Sequence, residues 1–316
     1  MSRQASGARG TSGGDAGNPR NASKSSDVKR NDEAHRSKLP AGLYLVATPI
    51  GNAADITLRA LDILRRVDVV ACEDTRLTGT LLARHGISVK LTPYHDHNAD
   101  RARPAILARL AQGQAVALVS DAGSPLISDP GFKLVRECAD AGLPVTAIPG
   151  ASAAVTALQL SGLPTDRFLF AGFLPARQAA RKKALAELAS VPASLVFFES
   201  ANRLAESLAD MAETLGDRPA AVARELTKLY EEIRRGALSE LAAHYADAGA
   251  PKGEIVIVVG GPQEIAPSEQ DLDAKLVGAL ENLSVRDAAA QIAAETGMPK
   301  RDVYARALAL SRHRHK

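Results

Sequence analysis

The stretch LYLVATPIGN at residues 43–52 joins a short apolar run to a polar turn that contains a glycine. Residues 43–47 are apolar without alternation, which is typical of a strand covered on both faces of a sheet. Further strands are predicted at residues 67–72, 115–119 and 145–148. Helices are predicted between them at residues 57–66, 75–85, 102–112 and 132–141. Strands that alternate with helices at this spacing predict an α/β domain with a mainly parallel sheet.

A second set of elements begins after the GLP turn at residues 162–164. Its strands are predicted at residues 168–173, 195–198, 220–224 and 254–259. Its helices are predicted near residues 178–188, 203–215 and 238–245. We therefore expect two α/β domains, at residues 41–162 and 163–262, and not one extended sheet.

The two ends of the chain differ from its body. Residues 1–40 hold eight Lys or Arg against four Asp or Glu and show no hydrophobic period, so they are predicted to be a disordered basic tail. Residues 263–316 have a helical pattern, in which Ser284 and Asp287 form a capping box. Two short helices around a glycine-containing turn resemble a helix-turn-helix. The alternative is a small helical appendage that packs on the body or on a second subunit.

The composition limits the classes of function. The 316 residues, 46% of them hydrophobic, support two domains with their own cores. Aromatic residues make up only 3%, which argues against aromatic platforms for single-stranded nucleic acid. Cys72 and Cys138 have no metal-ligand spacing, and no other metal cluster is visible, so we expect no metal and a reducing compartment. No apolar run has transmembrane length and no secretory leader is recognisable, which predicts a cytoplasmic protein without a membrane partner.

The charge is unevenly distributed. The net charge is only +3, yet residues 300–316 hold six basic residues against one acid, and residues 1–40 are basic as well. Basic ends on a near-neutral body suggest an anionic macromolecular partner. The alternative is that both ends are simply solvated tails.

Three loops follow apolar strands, at residues 48–52, 120–125 and 149–152. In a parallel sheet the carboxyl ends of the strands are where ligands bind. Asp121 lies directly after a buried strand and well before the next helix, so its carboxylate can accept hydrogen bonds from a ligand's hydroxyl or ammonium group. Asp129, followed by Pro130, is explained as a helix N-cap, and Ser152 likewise as the cap of the next helix.

Several common motifs are missing from the sequence. There is no G-x-x-x-x-G-K-[ST], no G-x-G-x-x-G after the first strand and no G-x-S-x-G. A P-loop hydrolase, a dinucleotide-binding enzyme and a serine hydrolase of the elbow type are therefore disfavoured. We expect the ligand to be held by backbone contacts that glycines permit along several strand ends.

Seven sequence motifs occur in one order between residues 43 and 261. They are LYLVATPIGN, CEDTR, SDAGSPLISDPG, IPGASA, FFES, ARELTK and KGEIVIVV. Together they resemble the tetrapyrrole methylase superfamily and, within it, the enzymes that methylate the 2′-hydroxyl of a cytidine in 16S ribosomal RNA. The resemblance implies two α/β domains with S-adenosylmethionine in a cleft between them, usually in a homodimer. It also implies 16S rRNA as the substrate, within the small ribosomal subunit.

The same resemblance implies a set of site residues. Those expected to contact the cofactor are Ile50, Asp121, Gly123, Ser124, Ile127, Ser152, Ala153, Ala223 and Gly253. Relatives often carry a histidine in the ES-x-H-R stretch, where this chain has Asn202. A role for an imidazole at that position is therefore not carried over.

Methyl transfer to oxygen is an in-line displacement in which the protein aligns the 2′-hydroxyl and excludes water. A base that takes the hydroxyl proton would help, and the candidates are Glu73 and Asp74. Arg76 and His97 are the candidate contacts to RNA. Each has a structural alternative: Asp74 can cap the following helix, Arg76 can pair with Glu73, and the HDHN stretch that contains His95 and His97 can be a solvated loop.

Two rival functions remain open from the sequence. One is a methyltransferase of the same superfamily that acts on a tetrapyrrole or a diphthamide precursor. The other is a non-catalytic RNA-binding factor that keeps the fold, although the intact Gly and Asp positions in the three loops argue against it.

Overall fold

The computed structural model describes residues 38–262 and 269–314. Contacts divide the chain into two compact units, with the division after Ala151. Most of the predicted tail lies outside the described residues, but Leu39 is buried in the core of the first unit and the Pro40 carbonyl accepts a 2.8 Å hydrogen bond from the Tyr44 hydroxyl. Leu39, which the sequence analysis assigned to the tail, is therefore part of the core of the first unit.

The first unit contains a five-stranded sheet in the order β3-β2-β4-β1-β5, and all of its strand pairs are parallel. The strands are β1 (Gly42–Val46), β2 (Val69–Cys72), β3 (Leu91–Pro93), β4 (Ala115–Val119) and β5 (Val145–Ile148). The helices are α1 (Leu58–Arg66), α2 (Thr75–Arg84), α3 (Ala99–Ala111) and α4 (Phe132–Asp140). Separate apolar cores lie on the two faces of this sheet, because its central strands carry apolar side chains on both faces.

The second unit contains a mixed sheet in the order β6-β7-β10-β8-β9. Its strands are β6 (Phe168–Phe173), β7 (Ser194–Glu199), β8 (Pro219–Arg224), β9 (Glu232–Ala237) and β10 (Ile255–Val259). Its helices are α5 (Ala153–Ser161), α6 (Gln178–Leu188), α7 (Leu204–Leu215) and α8 (Leu238–Ala248). Only β6 and β7 pair in parallel, whereas the other pairs are antiparallel. The sequence predicted two α/β units, and the structure contains them.

Helix α5 accounts for the position of the division between the units. Its buried residues include Ala154, Ala157 and Leu158, and the helix packs against β8 and β10 of the second sheet. The compact units therefore separate before α5, whereas the sequence boundary was drawn after it, at residue 162. Ser152 caps this helix, since its hydroxyl accepts the Val155 N–H, as predicted.

The second unit is also held by a buried ion pair. Arg181 on α6 donates from Nε to Asp210 Oδ2 on α7 over 2.7 Å, and both residues are almost fully buried. Gln178 donates to the other carboxylate oxygen. Because the charges and the hydrogen-bonding groups of both partners are satisfied, this pair fixes the two helices against each other.

The C-terminal helices have a core of their own. They are α9 (Glu269–Ala279), α10 (Val285–Thr296) and α11 (Lys300–Arg314), and their buried side chains include Leu276, Ile292 and Val303. Gly297 ends α10 in the left-handed conformation, with φ of 68°. The Ser284 hydroxyl accepts the Asp287 N–H, which confirms the predicted cap. The predicted helical segment at the C-terminus is thus confirmed, whereas its role as a helix-turn-helix stays a prediction.

Two further observations bear on the class of protein. No helix in the described part of the chain is both long and apolar enough to cross a membrane. Within the same residues, no group of three or more His, Cys, Asp or Glu side chains is arranged to hold a metal ion. Cys72 and Cys138 are both buried and free, as small core residues would be.

Candidate active site at the strand ends of the first unit

The loops after β1 and β4 are joined directly. Thr48 and Gly123 form an isolated antiparallel bridge, in which Thr48 N–H donates to Gly123 O over 2.9 Å and Gly123 N–H donates to Thr48 O over 3.1 Å. The Thr48 hydroxyl also donates to the Ser120 carbonyl over 3.1 Å. Two of the three predicted ligand loops are therefore fixed to each other at the carboxyl edge of the sheet.

Glycines allow the third loop to approach as well. A Cβ on Gly150 would lie 2.9 Å from the Ala47 Cβ, so any larger residue would push the loop after β5 away from β1. A Cβ on Gly123 would lie 3.3 Å from the Ile50 side chain, and the φ of Gly123 is +80°. The three loops thus form one glycine-lined cradle, as the sequence predicted from their positions after neighbouring strands.

Asp121 links this cradle to the end of β2. Its Oδ1 accepts a 3.0 Å hydrogen bond from the Asp74 N–H, and its side chain is exposed. At the opposite edge of the same sheet, Asp68 Oδ2 accepts the Ala115 N–H over 2.7 Å. Two exposed carboxylates therefore connect β2 to β4, one at each end of the strands, but only Asp121 lies beside the cradle.

Asp74 is occupied by local hydrogen bonds. Its side chain caps α2 by accepting the Arg76 N–H over 2.7 Å, and Arg76 also donates to both carboxylate oxygens through its guanidinium group. These hydrogen bonds lower the pKa of Asp74 to about 2. The capping alternative is thus confirmed, and the suggested pairing of Arg76 with Glu73 was wrong, because the guanidinium group pairs with the nearer cap residue.

Glu73 and Asp129 have the opposite electrostatic environment. Burial raises the pKa of Glu73, and the nearby carboxylates of Asp121 and Asp96 raise it further. Burial also raises the pKa of Asp129 to about 6, although a hydrogen bond with the Ser120 hydroxyl partly opposes the shift. Neighbouring carboxylates therefore disfavour the ionised forms of Glu73 and Asp129 and create a local negative potential at this edge.

The explanation of Asp129 as a helix N-cap was wrong. Helix α4 begins at Phe132, its N-cap is Gly131 with φ of 141°, and no side chain caps it. Asp129 instead lies near Ser120 and contributes to the acidic edge. The loop before it is strained, since Leu126 and Ser128 both have positive φ. Such strain in a loop at a ligand edge is typical of functional sites.

An open pocket of about 460 Å³ lies at this edge of the first unit. Its walls are formed by Glu73, Asp74, Thr75, Arg76, Pro93, His95, His97 and Asp121. His95 is held by Asn98, whose side-chain oxygen accepts the His95 N–H over 2.9 Å. The rings of His95 and His97 lie 6.1 Å apart. The candidate catalytic and RNA-contacting residues of the sequence thus line one pocket together with Asp121.

The remaining candidate residues of the cofactor set differ in accessibility. Ile50 and Gly123 are buried within the cradle, Ser124 is half-buried and Ile127 is exposed. Ser152 and Ala153 stand at the start of α5 in the second unit and are half-buried.

Ala223 and Gly253 lie at the same end of the second sheet, where β8 ends and β10 begins. Ala223 is only 1% exposed. Gly253 has φ of +106°, and a Cβ there would lie 2.3 Å from Glu225 Oε1. Glu225 itself has a φ of 51° and accepts hydrogen bonds from Lys228 and from the Glu254 N–H. Packing against Glu225 therefore accounts for the glycine at position 253 without any ligand.

Sequence reasoning missed two features of these sites. It treated Asp129 as a cap, and it assigned no role to Glu225. The carboxylate crowding around Asp129 arises from three separate loops and has no local sequence signal. The close packing of Gly253 against Glu225 joins two residues that are far apart in the chain, so the local sequence does not predict it. A glycine directly before an apolar strand is only a weak sign of a close backbone approach.

A family model described as "Tetrapyrrole (Corrin/Porphyrin) Methylases" matches residues 42–242, which is more than half of the chain. The chain belongs to the tetrapyrrole methylase family. A second family model, "RsmI C-terminal HTH domain", matches residues 266–311, the region of α9 to α11. The predicted family is confirmed. The prediction that the chain is a methyltransferase that depends on S-adenosylmethionine is confirmed as well.

Curated relatives are similar to this member of the tetrapyrrole methylase family over most of their length. The "Ribosomal RNA small subunit methyltransferase I" of Mesorhizobium japonicum is 54% identical over 273 residues, which cover 86% of this chain and 93% of the relative. The protein of the same name from Escherichia coli is 45% identical over 287 residues, covering 89% of this chain and 99% of the relative.

Two solved structures share the fold of this chain. Diphthine synthase superposes with a TM-score of 0.55 at 17% identity and covers 69% of this chain and 89% of its own. Uroporphyrin-III-C-methyltransferase from Thermus thermophilus gives a TM-score of 0.52 at 24% identity, covering 70% and 94%. At such low identity these similarities support the architecture alone, and they confirm the predicted fold class.

Proposed function

We propose that the chain transfers a methyl group from S-adenosylmethionine to the 2′-hydroxyl of a cytidine in 16S ribosomal RNA. The substrate class is supported by the names of the relatives, which this chain matches at 54% and 45% identity over nearly their whole length. The cofactor class is supported by the acidic edge beside a glycine-lined cradle. That edge is the observation on which the site assignment depends.

The residues present fit a cationic donor. The carboxylates of Asp121, Glu73, Asp96 and Asp129 gather at the acidic edge beside the cradle. Arg76 is the only permanent cation among the pocket residues, and it is already paired with Asp74. S-adenosylmethionine carries a sulfonium and an ammonium group, and when bound it supplies a methyl group that the acceptor oxygen displaces from sulfur. A negative potential in a partly desolvated site favours such a ligand over an anionic one.

We assign the binding of the donor in the first unit to Asp121, Gly123, Ser124, Ile50 and Ile127. Gly123 and Gly150 let the three loops approach one another at the cradle, because a Cβ at either position would press against Ile50 or Ala47. The Asp121 carboxylate keeps one oxygen beyond the one that accepts the Asp74 N–H, so it can accept a hydrogen bond from the donor's ammonium or hydroxyl groups. The contacts of Ser152, Ala153, Ala223 and Gly253 rest on sequence motifs alone.

Glu73 is better suited than Asp74 to take the proton of the 2′-hydroxyl. Both oxygens of Asp74 are engaged by Arg76, which lowers the basicity of the carboxylate. Burial and neighbouring carboxylates raise the pKa of Glu73, which makes its ionised form a stronger base. Glu73 would hold the proton while the pocket orients the oxygen toward the methyl group.

We assign the contact with RNA to Arg76 and His97, which are both exposed at the mouth of the pocket. The Arg76 side chain is 89% exposed, and its guanidinium group uses only part of its donor set on Asp74, so it can also meet a phosphate oxygen. Association with the small ribosomal subunit, a homodimeric state and a cytoplasmic location remain predictions of the sequence.

Methyl incorporation from labelled S-adenosylmethionine tests the function. The full chain should label small ribosomal subunits or free 16S rRNA from cells that lack this activity, and mass spectrometry of nuclease digests should place the label on a 2′-O-methylcytidine. A porphyrin precursor should remain unlabelled. Labelling of the porphyrin, or donor binding without transfer to either RNA preparation, would contradict the proposal.

A further inference from the structure

The edge strand β6 contains a bulge that changes the direction of one side chain. Phe170 pairs with Val196, Gly172 with Phe197 and Phe173 with Phe198, so Ala171 is an extra residue in the ladder. Gly172 has φ of 67°, which a glycine adopts without strain. In a regular strand, residues three apart point to opposite faces of the sheet. The bulge therefore brings Phe170 and Phe173 onto the same face.

The result is an exposed aromatic surface, which we call the phenylalanine platform (Phe170, Phe173 and Phe198). The Phe198 ring lies 4.8 Å from that of Phe170 and 5.5 Å from that of Phe173, both in edge-to-face geometry. Phe173 is 57% exposed, although the next residue, Leu174, is buried. An aromatic ring that is supported by a second ring but open to solvent offers a flat surface for stacking.

Cations and an amide stand at the same end of the sheet. Because β6 and β7 are parallel, Phe173 lies at the edge where the segment after β7 also begins. In that segment Arg203 donates to the Leu174 carbonyl over 3.2 Å and pairs with Glu199 over 2.6 Å, and Asn202 is exposed. Arg177 is exposed at the start of α6 and has no ion-pair partner within residues 38–262 and 269–314.

We propose that the phenylalanine platform stacks the base of an unpaired nucleotide of the RNA substrate while Arg177 meets its phosphate. Every nucleobase has a face that can stack on an aromatic ring, and single-stranded RNA is commonly bound by this combination with cations. Burial of the same surface against a second copy of the chain would leave the Arg177 charge desolvated, which is costly. The inference rests on the proposed function, since it requires an RNA substrate.

The low aromatic content of the chain is compatible with this role. The sequence has six phenylalanines and no tryptophan, and three of the six form the platform. What matters for stacking is a local cluster and not the overall percentage. Arg76 is the only permanent cation among the residues that line the acidic pocket of the first unit, so further cationic surface is needed to hold the RNA chain.

Fluorescence anisotropy with labelled oligocytidylate and the full chain tests the proposal. Phe173→Ala should weaken binding roughly 5- to 150-fold, the range expected for the loss of one base–aromatic stack. Phe173→Trp should retain binding. Phe168→Ala is the matched control, because Phe168 lies at the other end of the same strand and is 46% exposed. Arg177→Ala should weaken binding and reduce its salt dependence.

Two further measurements separate the alternatives. Calorimetry with S-adenosylmethionine should give the same affinity for Phe173→Ala as for the unchanged chain, and sedimentation should give the same oligomeric state. The inference is overturned if Phe173→Ala binds RNA as tightly as the unchanged chain, or if Phe168→Ala loses as much affinity. It is also overturned if Phe173→Ala loses donor affinity or changes its oligomeric state. If the unchanged chain methylates RNA and Phe173→Ala does so with unaltered KM, only this inference fails. If the unchanged chain neither binds nor methylates RNA, the proposed function fails with it.

Discussion

Replacing Asp121 by alanine tests the link between the acidic edge and the donor. The change removes one charged acceptor from a position beside the glycine-lined cradle and also removes the hydrogen bond from the Asp74 N–H. A hydrogen bond between charged groups contributes roughly 1.5–3 kcal/mol, so the affinity for S-adenosylmethionine should fall about 10- to 150-fold. The folding cost should be only about 1 kcal/mol, because the carboxylate is exposed and accepts a single backbone N–H.

Isothermal calorimetry measures the affinity, and urea unfolding measures the stability. Asp121→Asn retains an acceptor for the Asp74 N–H but lacks the charge, so it should bind the donor nearly as weakly as Asp121→Ala while unfolding like the unchanged chain. Asp68→Ala is the matched control, since it removes the equivalent β2–β4 link at the other edge of the sheet. It should lose about the same stability and keep full donor affinity.

Unchanged donor affinity in Asp121→Ala would refute the assignment of the pocket. Equal losses of affinity in Asp121→Ala and Asp68→Ala would show that the effect comes from the sheet and not from the charge. Recovery of full affinity in Asp121→Asn would mean that the hydrogen bond to Asp74, and not electrostatic attraction, supports the site.

Three further predictions follow from charges described above. Glu73→Gln should slow single-turnover methylation at saturating donor at least tenfold, and it should abolish the acidic limb of the pH–rate profile; an unchanged limb would exclude Glu73 as the base. Asp129 has a pKa of about 6 in the folded chain against 3.8 when unperturbed, so its ionisation costs stability as the pH rises from 4 to 6. Asp129→Asn should therefore gain about 1–2 kcal/mol over the unchanged chain across that interval, measured by urea unfolding, and a constant difference would contradict this. Asp210→Ala removes the close partner of the buried Arg181 charge and leaves only Glu206 at 3.7 Å, so it should cost about 3–5 kcal/mol in urea unfolding, whereas Glu213→Ala, which removes the exposed partner of Lys182, should cost less than about 1 kcal/mol.

The apolar runs of the sequence were a sufficient guide to the central strands. β4 was predicted at its observed bounds, because a strand covered on both faces must be apolar throughout. β9 was missed, since it lies at the sheet edge and reads EIRRGA, with charged residues and no hydrophobic run. β3 was missed because it has only three residues. An edge strand that is held mainly by hydrogen bonds to its neighbour need not contain a run of apolar residues, so its composition does not predict it.

The site was predictable to a similar extent. Asp121 stood out because a carboxylate directly after a buried strand has few structural reasons to be there, and the structure places it in the pocket with Glu73. The engagement of Asp74 by Arg76 and the burial of Asp129 could not be read from the sequence. Both depend on side-chain orientations and on loops that meet only after the sheet has formed.

The close approach of Gly253 to Glu225 has a consequence for variation at these two positions. A side chain at position 253 would occupy the space of the Glu225 carboxylate, which in turn anchors Lys228 and the start of β10. A side chain at position 253 therefore requires Glu225 to move or to be replaced by a smaller residue. Homologues with a side chain at position 253 should therefore carry a smaller residue at position 225, and even then the positive φ of Gly253 leaves the substitution strained.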